Sequence, residues 1–273
     1  MIKEPGIYDI SNADYHADPA LNKSGLSELL KSPLHFQYSR KNKREETEAM
    51  KIGTATHVAI LEPEELPKQY AATIKIEKRS KAGKEAFKLQ QDNLSDNGLI
   101  GIETPTYERI LAMRDAVHNN KTAAKLLKNG IAEKSVFWRD KLGFMCKVRP
   151  DWLPGNDIIV DLKTTKDASP DGFPKECANY NYALQAVFYC SGLTAATGKE
   201  HNPENFLFIA VESAPPHGVG IYHLNFQSID FAKTQLRKLR LKYDDCLKNE
   251  IYPGYKDQLT SISLPPWTLK LKD

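Results

Sequence analysis

The sequence has 273 residues, of which 41% are hydrophobic and 27% charged, and its formal net charge is +3. This length suits one α/β domain with a large core, and the near-neutral charge does not by itself indicate a nucleic-acid binder. No apolar stretch approaches membrane-spanning length and the start has no apolar signal region, so we predict a cytoplasmic protein that does not associate with membranes. The four cysteines form no C-x-x-C pair, which argues against a structural zinc site and favours reduced thiols.

The first part of the chain, residues 1–130, is predicted to be mainly helical. Asn22-Lys-Ser24 indicates a helix start, with Ser24 as the N-cap and Glu28 in the first turn, and the helix should end at Lys31. A second helix is expected to begin near Gly53-Thr54 and to carry His57.

Two further helical segments are predicted before residue 130. Residues 75–97 are highly charged, which indicates a mobile segment or an exposed helix. Residues 106–128 have an apolar face at helical spacing and should form one helix or a pair. Basic residues cluster at Arg40–Arg44, Lys75–Lys84 and Arg237–Lys242, although any one such cluster is more often a solvated surface.

The second part, residues 131–273, is predicted to contain the sheet core and a C-terminal helix. Alternating or β-branched apolar runs predict strands at Glu133–Trp138, Gly143–Val148, Ile158–Val160, Phe206–Val211 and Gly220–Phe226. Helical spacing predicts helices at Tyr180–Ser191 and Ile229–Leu247. Strands interspersed with helices predict an α/β fold with a central mixed β-sheet flanked by helices, and no linker divides residues 1–273.

Two aspartates and a lysine are the strongest functional signal. Asp161 and Lys163 are two residues apart after an apolar strand, so both should lie on one face of that strand. Arg149-Pro-Asp151 follows the preceding strand, and a connection of about five to nine residues would place Asp151 beside Asp161. A tight turn at Pro154-Gly155 would instead pair Asp151 with Ile158. We favour the wide loop because proline cannot donate to a strand ladder and tends to lie where pairing ends.

These residue types suit metal-dependent hydrolysis of phosphodiesters. Mg²⁺ binds carboxylate, carbonyl and water oxygens, often together with substrate phosphate. A nearby lysine can orient the attacking water or offset the charge of the transition state. The alternative is that Asp161 forms an ordinary ion pair with Lys163 and that Asp151 is a turn residue.

The sequence resembles the PD-(D/E)xK nuclease superfamily and, within it, the RecE-type exonuclease (exonuclease VIII) family. The resemblance extends over nearly the whole chain, and it depends on the order and spacing of several short motifs. These motifs are Tyr15-His16 with Ser24, Gly53–His57 with Leu61–Pro63, Ala82–Lys84, Glu133–Trp138, Arg149–Asp151, Asp161–Thr165, Gln185–Tyr189 and Ser263–Trp267.

The resemblance implies roles for individual residues. It implies that one or two Mg²⁺ ions, for which Mn²⁺ should substitute, are bound by His57, Asp151, Asp161 and the main-chain carbonyl of Leu162. It implies that Lys163 assists the attacking water and that Glu133, otherwise an exposed edge residue, belongs to the active-site neighbourhood. Gln185 and Tyr189 share one helical face, and the resemblance implies that they contact DNA phosphates or hold Lys163.

The resemblance also implies an activity and partners. The substrate would be the ends of double-stranded DNA, degraded 5′ to 3′ to leave a 3′ single-stranded tail for recombination in a phage or prophage. The partner would be a RecT-type single-strand annealing protein, and the protein would form a homo-oligomeric ring, with a tetramer favoured. The alternatives are a RecB-type or structure-specific nuclease, a non-catalytic DNA-binding protein of the same fold, and a hydrolase of a small phosphate ester.

Overall fold

The structure is a computed structural model, and it describes residues 1–42, 47–155 and 157–264. Three predicted features therefore lie partly outside the described residues. These are the last two residues of Arg40–Arg44, the last three of Ser263–Trp267, and Asn156 in the predicted loop. The strands are β1 (Gly6–Tyr8), β2 (Tyr70–Thr73), β3 (Ile100–Glu103), β4 (Ile131–Ala132), β5 (Ser135–Arg139), β6 (Met145–Val148), β7 (Trp152–Leu153), β8 (Ile159–Thr165), β9 (Phe206–Glu212) and β10 (Val219–His223). The helices are α1 (Asn12–Ala17), α2 (Lys23–Lys31), α3 (Pro33–Lys41), α4 (Glu48–Leu61), α5 (Leu66–Gln69), α6 (Lys81–Asp96), α7 (Thr104–Asn119), α8 (Lys121–Leu126), α9 (Phe173–Asn179), α10 (Tyr182–Thr197) and α11 (Phe226–Asn249), with a 3₁₀ turn at Pro203–Asn205.

The central sheet has the strand order β10-β9-β8-β7-β4. β8 and β9 pair in parallel, whereas β10, β7 and β4 are antiparallel to their neighbours. A second, antiparallel sheet has the order β1-β5-β6, and β2 pairs with β3 in parallel. The predicted mixed sheet is therefore confirmed.

Helices cover both faces of the central sheet because successive strand residues point to opposite sides. On one face, Phe206 and Phe208 of β9 belong to a core that includes Leu184 and Phe188 of α10 and apolar residues of α11. On the other face, Ile209 and Val211 of the same strand belong to a core built from α4 and α7. The predicted arrangement, a sheet flanked by helices, is confirmed.

Several helix boundaries differ from the prediction. α2 begins one residue before Ser24, and its N-cap is Asn22, whose side chain accepts a hydrogen bond from the amide of Gly25. α4 begins at Glu48, before the predicted start at Gly53, with Thr47 as its cap. In both helices a favourable cap residue lies upstream of the predicted start, two positions before Ser24 in α2 and six before Gly53 in α4. Among the described residues no helix is long and apolar enough to cross a membrane.

The helical predictions between residues 75 and 128 hold in outline. The charged segment forms the exposed helix α6, and the segment after it forms the pair α7 and α8. Ile110, Met113 and Val117 are the buried face of α7, as their spacing predicted. β10 ends at His223, so Phe226 starts α11 instead of ending a strand.

The strand before Arg149 does not belong to the predicted hairpin. β6 pairs with β5 in the smaller sheet, and the partner of β8 is the two-residue strand β7. A strand of two residues is too short to produce an alternating pattern, so no periodic signal predicted it. Arg149 and Pro150 therefore connect two sheets, and this connection delivers Asp151 to the edge of β8.

A buried lysine fixes the N-terminal helix α1 to the smaller sheet. Lys147 of β6 is 1% exposed, and its Nζ donates hydrogen bonds to the carbonyl oxygens of Tyr15 and, at 2.6 Å, of Asp18. The ammonium group also lies 4.5 Å from the centre of the Tyr15 ring. Burial lowers the pKa of Lys147 to about 8. The end of α1 is therefore held by a cation that itself depends on those carbonyls for solvation.

Candidate active site

Asp151 and Asp161 lie side by side at the centre of the site. Trp152 pairs with Val160 across β7 and β8, so the antiparallel register places Asp151 opposite Asp161. The connection between the two strands is residues 154–158, which agrees with the predicted wide loop and not with a tight turn. The amide of Leu162 donates a 2.8 Å hydrogen bond to Oδ2 of Asp151, which fixes that carboxylate against β8.

Asp161 and Lys163 form a buried ion pair that neighbouring side chains complete. Lys163 Nζ lies 2.5 Å from Oδ2 of Asp161, and the Asp161 side chain is 1% exposed. The amide nitrogen of Gln185 in α10 donates a 2.5 Å hydrogen bond to Oδ1 of Asp161. The ammonium group of Lys163 also lies 4.8 Å from the centre of the Tyr182 ring. Gln185 therefore holds the aspartate, whereas the resemblance had implied a contact with DNA or with the lysine.

A second group of ligand atoms gathers around Asp151. One possible ligand atom from each of His57, Glu133 and Asp151 lies within 4.8 Å of the other two. His57 Nδ1 is 3.5 Å from Oδ2 of Asp151. We call these three residues the ligand cluster. Asp161 lies outside it, and its two oxygens are engaged by Gln185 and Lys163.

Glu133 reaches the ligand cluster from an unusual backbone position. The sequence had placed it at the start of a strand, but β5 begins at Ser135, and Glu133 has a φ of 53°. Its amide donates to the carbonyl oxygen of Asp151 at 3.2 Å, and its own carbonyl accepts from Arg149 Nε at 2.7 Å. Arg149 Nε also lies 3.3 Å from Oε2 of Glu133. Arg149 therefore fixes both the backbone and the carboxylate of this residue.

Arg149 has a structural role that the sequence did not predict. Besides Glu133, its guanidinium donates to the carbonyl oxygen of Ile10 at 2.6 Å and to Oδ1 of Asn12 at 3.3 Å. It lies 5.3 Å from the centre of the Tyr15 ring. Arg149 thus connects the ligand cluster to the N-terminal segment, which forms one wall of the site.

The carboxyl groups of the ligand cluster are held in an environment that disfavours their charge. Burial, and then the neighbouring Asp151, raise the pKa of Glu133, while Arg149 acts in the opposite direction. Burial likewise raises the pKa of Asp151, against the effect of Lys163 and of the Leu162 amide. A divalent cation would relieve this crowding of acidic groups.

The histidine of the ligand cluster is in the form that metal ions bind. Burial, followed by the positive charge of Lys163, lowers the pKa of His57 to about 4. Its imidazole is therefore neutral at neutral pH, with a lone pair available for a metal. One neutral imidazole and two carboxylates form a donor set that fits Mn²⁺ or Mg²⁺.

The ion pair inside the site keeps Lys163 charged. Burial acts to lower the pKa of Lys163, but the carboxylates of Asp161 and Asp151 outweigh it and raise the net value. Burial raises the pKa of Asp161 to about 6, against the effect of Lys163. Lys163 is therefore an ammonium group in the metal-free protein, and it can donate hydrogen bonds but cannot act as a base.

Lys23 is a second ammonium group near the ion pair. It is the first residue of α2, donates a 2.7 Å hydrogen bond to the carbonyl of Tyr180, and lies 5.7 Å from the centre of the Tyr182 ring. Burial, followed by repulsion from Lys163, lowers the pKa of Lys23 to about 8. No sequence pattern predicted this role, because Lys23 is 140 positions from Lys163 and had been assigned only to a helix start.

These groups line two adjoining cavities. A cavity of about 270 Å³ is lined by Asp151, Asp161, Lys163, Gln185 and Tyr189, and also by residues of the N-terminal segment such as Lys23 and Asn12. A cavity of about 570 Å³ is lined by Glu133 and Arg149, which also line the smaller cavity, and by α4 residues that include His57. The two cavities therefore adjoin at the shared residues Glu133 and Arg149.

The structure brings together most of the residues that the sequence singled out. His57, Glu133 and Asp151 form one group, and Asp161, Lys163 and Gln185 form another. Tyr189 lines the smaller cavity, and burial raises its pKa well above the ordinary value. A metal contact of Asp161 or of the Leu162 carbonyl remains a prediction.

Comparison with known proteins agrees with the geometry of the site. Residues 23–264 match the family model described as a PDDEXK-like domain of unknown function, DUF3799. The chain belongs to this family.

The fold is also similar to that of a solved structure. The crystal structure of a protein from Eubacterium rectale described as a "putative exonuclease" superposes with a TM-score of 0.62 at 11% identity, covering 96% of this chain and 98% of that one. At this identity the similarity shows the fold alone. No curated protein sequence matches the chain.

Proposed function

We propose that the protein is a metal-dependent nuclease that hydrolyses DNA phosphodiester bonds. The observation that carries this proposal is the register of β7 and β8, which sets Asp151 beside Asp161 and Lys163 and next to a donor set suited to a divalent cation. Membership of a PDDEXK-like family and the fold shared with a protein described as a "putative exonuclease" support it.

The ligand cluster would hold the metal. His57, Glu133 and Asp151 supply the donors, with Asp161 and the Leu162 carbonyl as further ligands if the Asp161 carboxylate turns toward the cluster. A bound Mg²⁺ or Mn²⁺ polarises a phosphoryl oxygen and makes a bound water more acidic. Arg149 keeps Glu133 in place, and the Leu162 amide keeps Asp151 in place, so little rearrangement is needed before a cation binds.

The remaining residues act on the phosphodiester and the water. Lys163 carries a positive charge and can donate hydrogen bonds to the attacking water or to a phosphoryl oxygen. Gln185 and Tyr182 hold Asp161 and Lys163 in position, so the ammonium group is fixed before the substrate arrives. Lys23 adds a second positive charge to the cavity that also contains Asp161 and Lys163.

The substrate and direction in the proposal come from the RecE-type resemblance. We infer that the protein degrades linear double-stranded DNA 5′ to 3′ and leaves 3′ single-stranded tails for strand annealing. A RecT-type annealing protein as partner, a tetrameric ring, cytoplasmic location and one exonuclease domain over residues 1–273 belong to the same proposal.

Degradation of end-labelled linear duplex DNA tests this proposal. The protein is incubated with Mg²⁺ or Mn²⁺ and duplex labelled at either the 5′ or the 3′ end, and covalently closed circles serve as the control. Early release of the 5′ label as mononucleotide, with intact circles, is expected. EDTA should stop the reaction.

Other products would point to the alternatives. Cut circles would indicate a structure-specific or other endonuclease, and release from both ends or from single strands would indicate a RecB-type enzyme. DNA binding without cleavage under any metal would indicate a non-catalytic protein of the same fold and would contradict the proposal.

A further inference from the structure

A strongly basic surface extends from α6 and the loop before it. Its positive residues, which we call the basic arm, are all exposed and are Lys75, Lys78, Arg79, Lys81, Lys84 and Lys88. Within residues 75–88 the acidic residues are Glu77 and Glu85, so the segment carries four more positive than negative charges (six minus two). None of these residues lines the active-site cavities described above.

Hydrophobic packing holds α6 in a fixed orientation. Leu94 is buried, and a Cβ on Gly101 of β3 would lie 2.7 Å from its side chain, so helix and strand are in close contact. β3 in turn contributes Ile102 to the core that contains α4 and α7. Lys81, Lys84 and Lys88 recur at helical spacing on the opposite, exposed face, with Glu85 at its edge.

The loop before α6 is folded back onto the helix. A Cβ on Gly83 would lie 2.0 Å from the carbonyl oxygen of Glu77, so the loop passes where a larger residue could not fit. The Ser80 hydroxyl accepts a hydrogen bond from the Gly83 amide and caps the helix. Lys78 lies 3.4 Å from the centre of the Phe87 ring. The basic residues of the loop and of the helix are therefore gathered into one surface.

The charges of the basic arm are not neutralised within the protein. Among the described residues Lys75, Lys81, Lys84 and Lys88 form no ion pair, and Arg79 has only a 3.8 Å contact with Glu77 in which both side chains are exposed. In the basic segment of α11 one residue, Arg240, is paired with Asp140 at 2.9 Å, whereas the exposed lysines of that helix serve below as the matched control. The basic arm thus retains its charge for an external polyanion.

The basic arm begins close to the active-site cleft along the chain. Gln69 lines the cavity that contains His57, and β2 starts at the next residue. Lys75 is six residues beyond Gln69, so at about 3.3 Å per residue it lies within roughly 20 Å of the cleft. At about 3.4 Å per base pair this distance corresponds to roughly six base pairs of duplex.

We propose that the basic arm binds the phosphate backbone of duplex DNA beside the active site, beginning at Lys75, about six base pairs or fewer from the bond that the active site cuts. The inference rests on the proposed function for the position of the DNA, and on the unpaired, fixed charges of the arm for the contact itself. The arm would hold the duplex while its end occupies the ligand cluster. It would contact phosphates and not bases, so it would not select sequence.

The salt dependence of duplex binding tests the contact. Binding is measured in EDTA in an Asp161→Asn background, so that no cleavage occurs, with and without the changes Lys81→Gln, Lys84→Gln and Lys88→Gln. The triple change should reduce the slope of log affinity against log salt by about 2 to 3, since each lost phosphate contact contributes about 0.9.

A matched triple change on α11, Lys233→Gln, Lys238→Gln and Lys242→Gln, removes the same charge from exposed lysines and is the control. It should change the slope by less than about 1. Equal salt slopes for the two triple variants would show that DNA binding depends only on net charge. An unchanged salt slope in the α6 variant would show that the basic arm is a solvated surface that does not contact DNA. Either result overturns the inference.

Neutral phosphates test the position. Methylphosphonate linkages within about fifteen base pairs of the end, the reach of the chain from Gln69 to Lys88, should weaken binding of the wild-type protein, and linkages about thirty base pairs away should not. The α6 variant should lose part of the sensitivity to linkages near the end. If the α6 variant has the reduced salt slope but the wild-type protein does not cleave DNA, the proposed function is rejected and the DNA contact is kept. If the protein cleaves DNA but the salt slope of the α6 variant is unchanged, the DNA contact is rejected and the proposed function is kept.

Discussion

The two halves of the site differ in how their charges are balanced. The pair of Asp161 and Lys163 is neutral as a unit, buried, and completed by Gln185. The ligand cluster instead holds two carboxylates against a neutral histidine, with Arg149 as the nearest compensating charge. The pair of Asp161 and Lys163 thus needs no ligand to balance its charge, whereas the ligand cluster has excess negative charge that a cation would balance. Changes in the first half should therefore affect chemistry and folding, and changes in the second should affect metal binding.

The largest effect is expected from Asp161→Asn. An amide keeps the shape and can still bond Gln185, but it removes the negative charge that faces Lys163 and the cleft. Activity on linear duplex should fall on the order of 10⁴-fold, the size seen when a central catalytic group is removed. Asp157→Asn, a change in the loop before β8 at a residue paired with Lys199, is the control and should keep activity. Turnover near the wild-type rate would disprove the role of Asp161.

Lys163→Met should separate chemistry from stability. The rate should fall about 10² to 10³-fold, as when one charged transition-state donor is lost. The metal-free protein should also lose about 3 kcal/mol of unfolding free energy, because Asp161 is left buried and unpaired. Adding Asp161→Asn should restore much of that free energy in denaturant unfolding but none of the activity. If the double variant were as unstable as Lys163→Met alone, the unpaired charge of Asp161 would not be the cause of the lost stability.

Glu133→Gln should act on the metal and not on the fold. Metal affinity, measured by calorimetry with Mn²⁺, should fall about 10 to 100-fold or more because a ligand is lost. The metal-free protein should be as stable as the wild type or slightly more so, since the change relieves the repulsion that raises the pKa of Glu133. Glu62→Gln, an equal change in charge next to the cluster, should alter affinity only a few-fold. If both changes lowered the affinity for Mn²⁺ equally, Glu133 would act only through its negative charge and would not be a metal ligand.

Metal binding should strengthen as pH rises. Burial raises the pKa of Glu133 and Asp151, so protons occupy these carboxyl groups above their ordinary range and must leave when a cation binds. His57, with a pKa of about 4, is already neutral and adds no competing proton. From about pH 5 upward the affinity for Mn²⁺ should increase by up to about tenfold per pH unit while one proton is displaced. A flat profile in thermal-shift titrations would contradict the raised pKa of the carboxyl groups.

The sequence predicted the part of the site that lies on one strand and its neighbour. Strand alternation places Asp161 and Lys163 on one face, and a loop of adequate length brings Asp151 beside them. Helical spacing in the same way predicted the face of Gln185 and Tyr189. These predictions succeeded because they depend on local geometry.

The remainder depends on contacts between distant parts of the chain. Glu133 enters the ligand cluster through a left-handed backbone position and a bond to Arg149, neither of which has a periodic pattern. Lys23 reaches Tyr182 only because α2 packs near α10. The pairing of β6 with β5 is different, because it is a local hairpin whose loop, residues 140–144, includes Gly143; the sequence contained this signal, and the prediction overlooked it by pairing β6 with β8.

The attachment of α1 has a practical consequence for shortening the protein. The family match begins at residue 23, yet Asn12 lines both active-site cavities and α1 supplies the carbonyl oxygen of Tyr15 that solvates Lys147. A version trimmed to the matched segment would keep every predicted ligand but lose a wall of the cleft, and Lys147 would lose both of its carbonyl acceptors. We expect its midpoint of thermal unfolding to fall well below that of the full chain, and Lys147→Met in the trimmed version to recover part of the loss. Expression of this chain from the matched segment alone is then expected to give a less stable and less active protein even with an intact set of ligands.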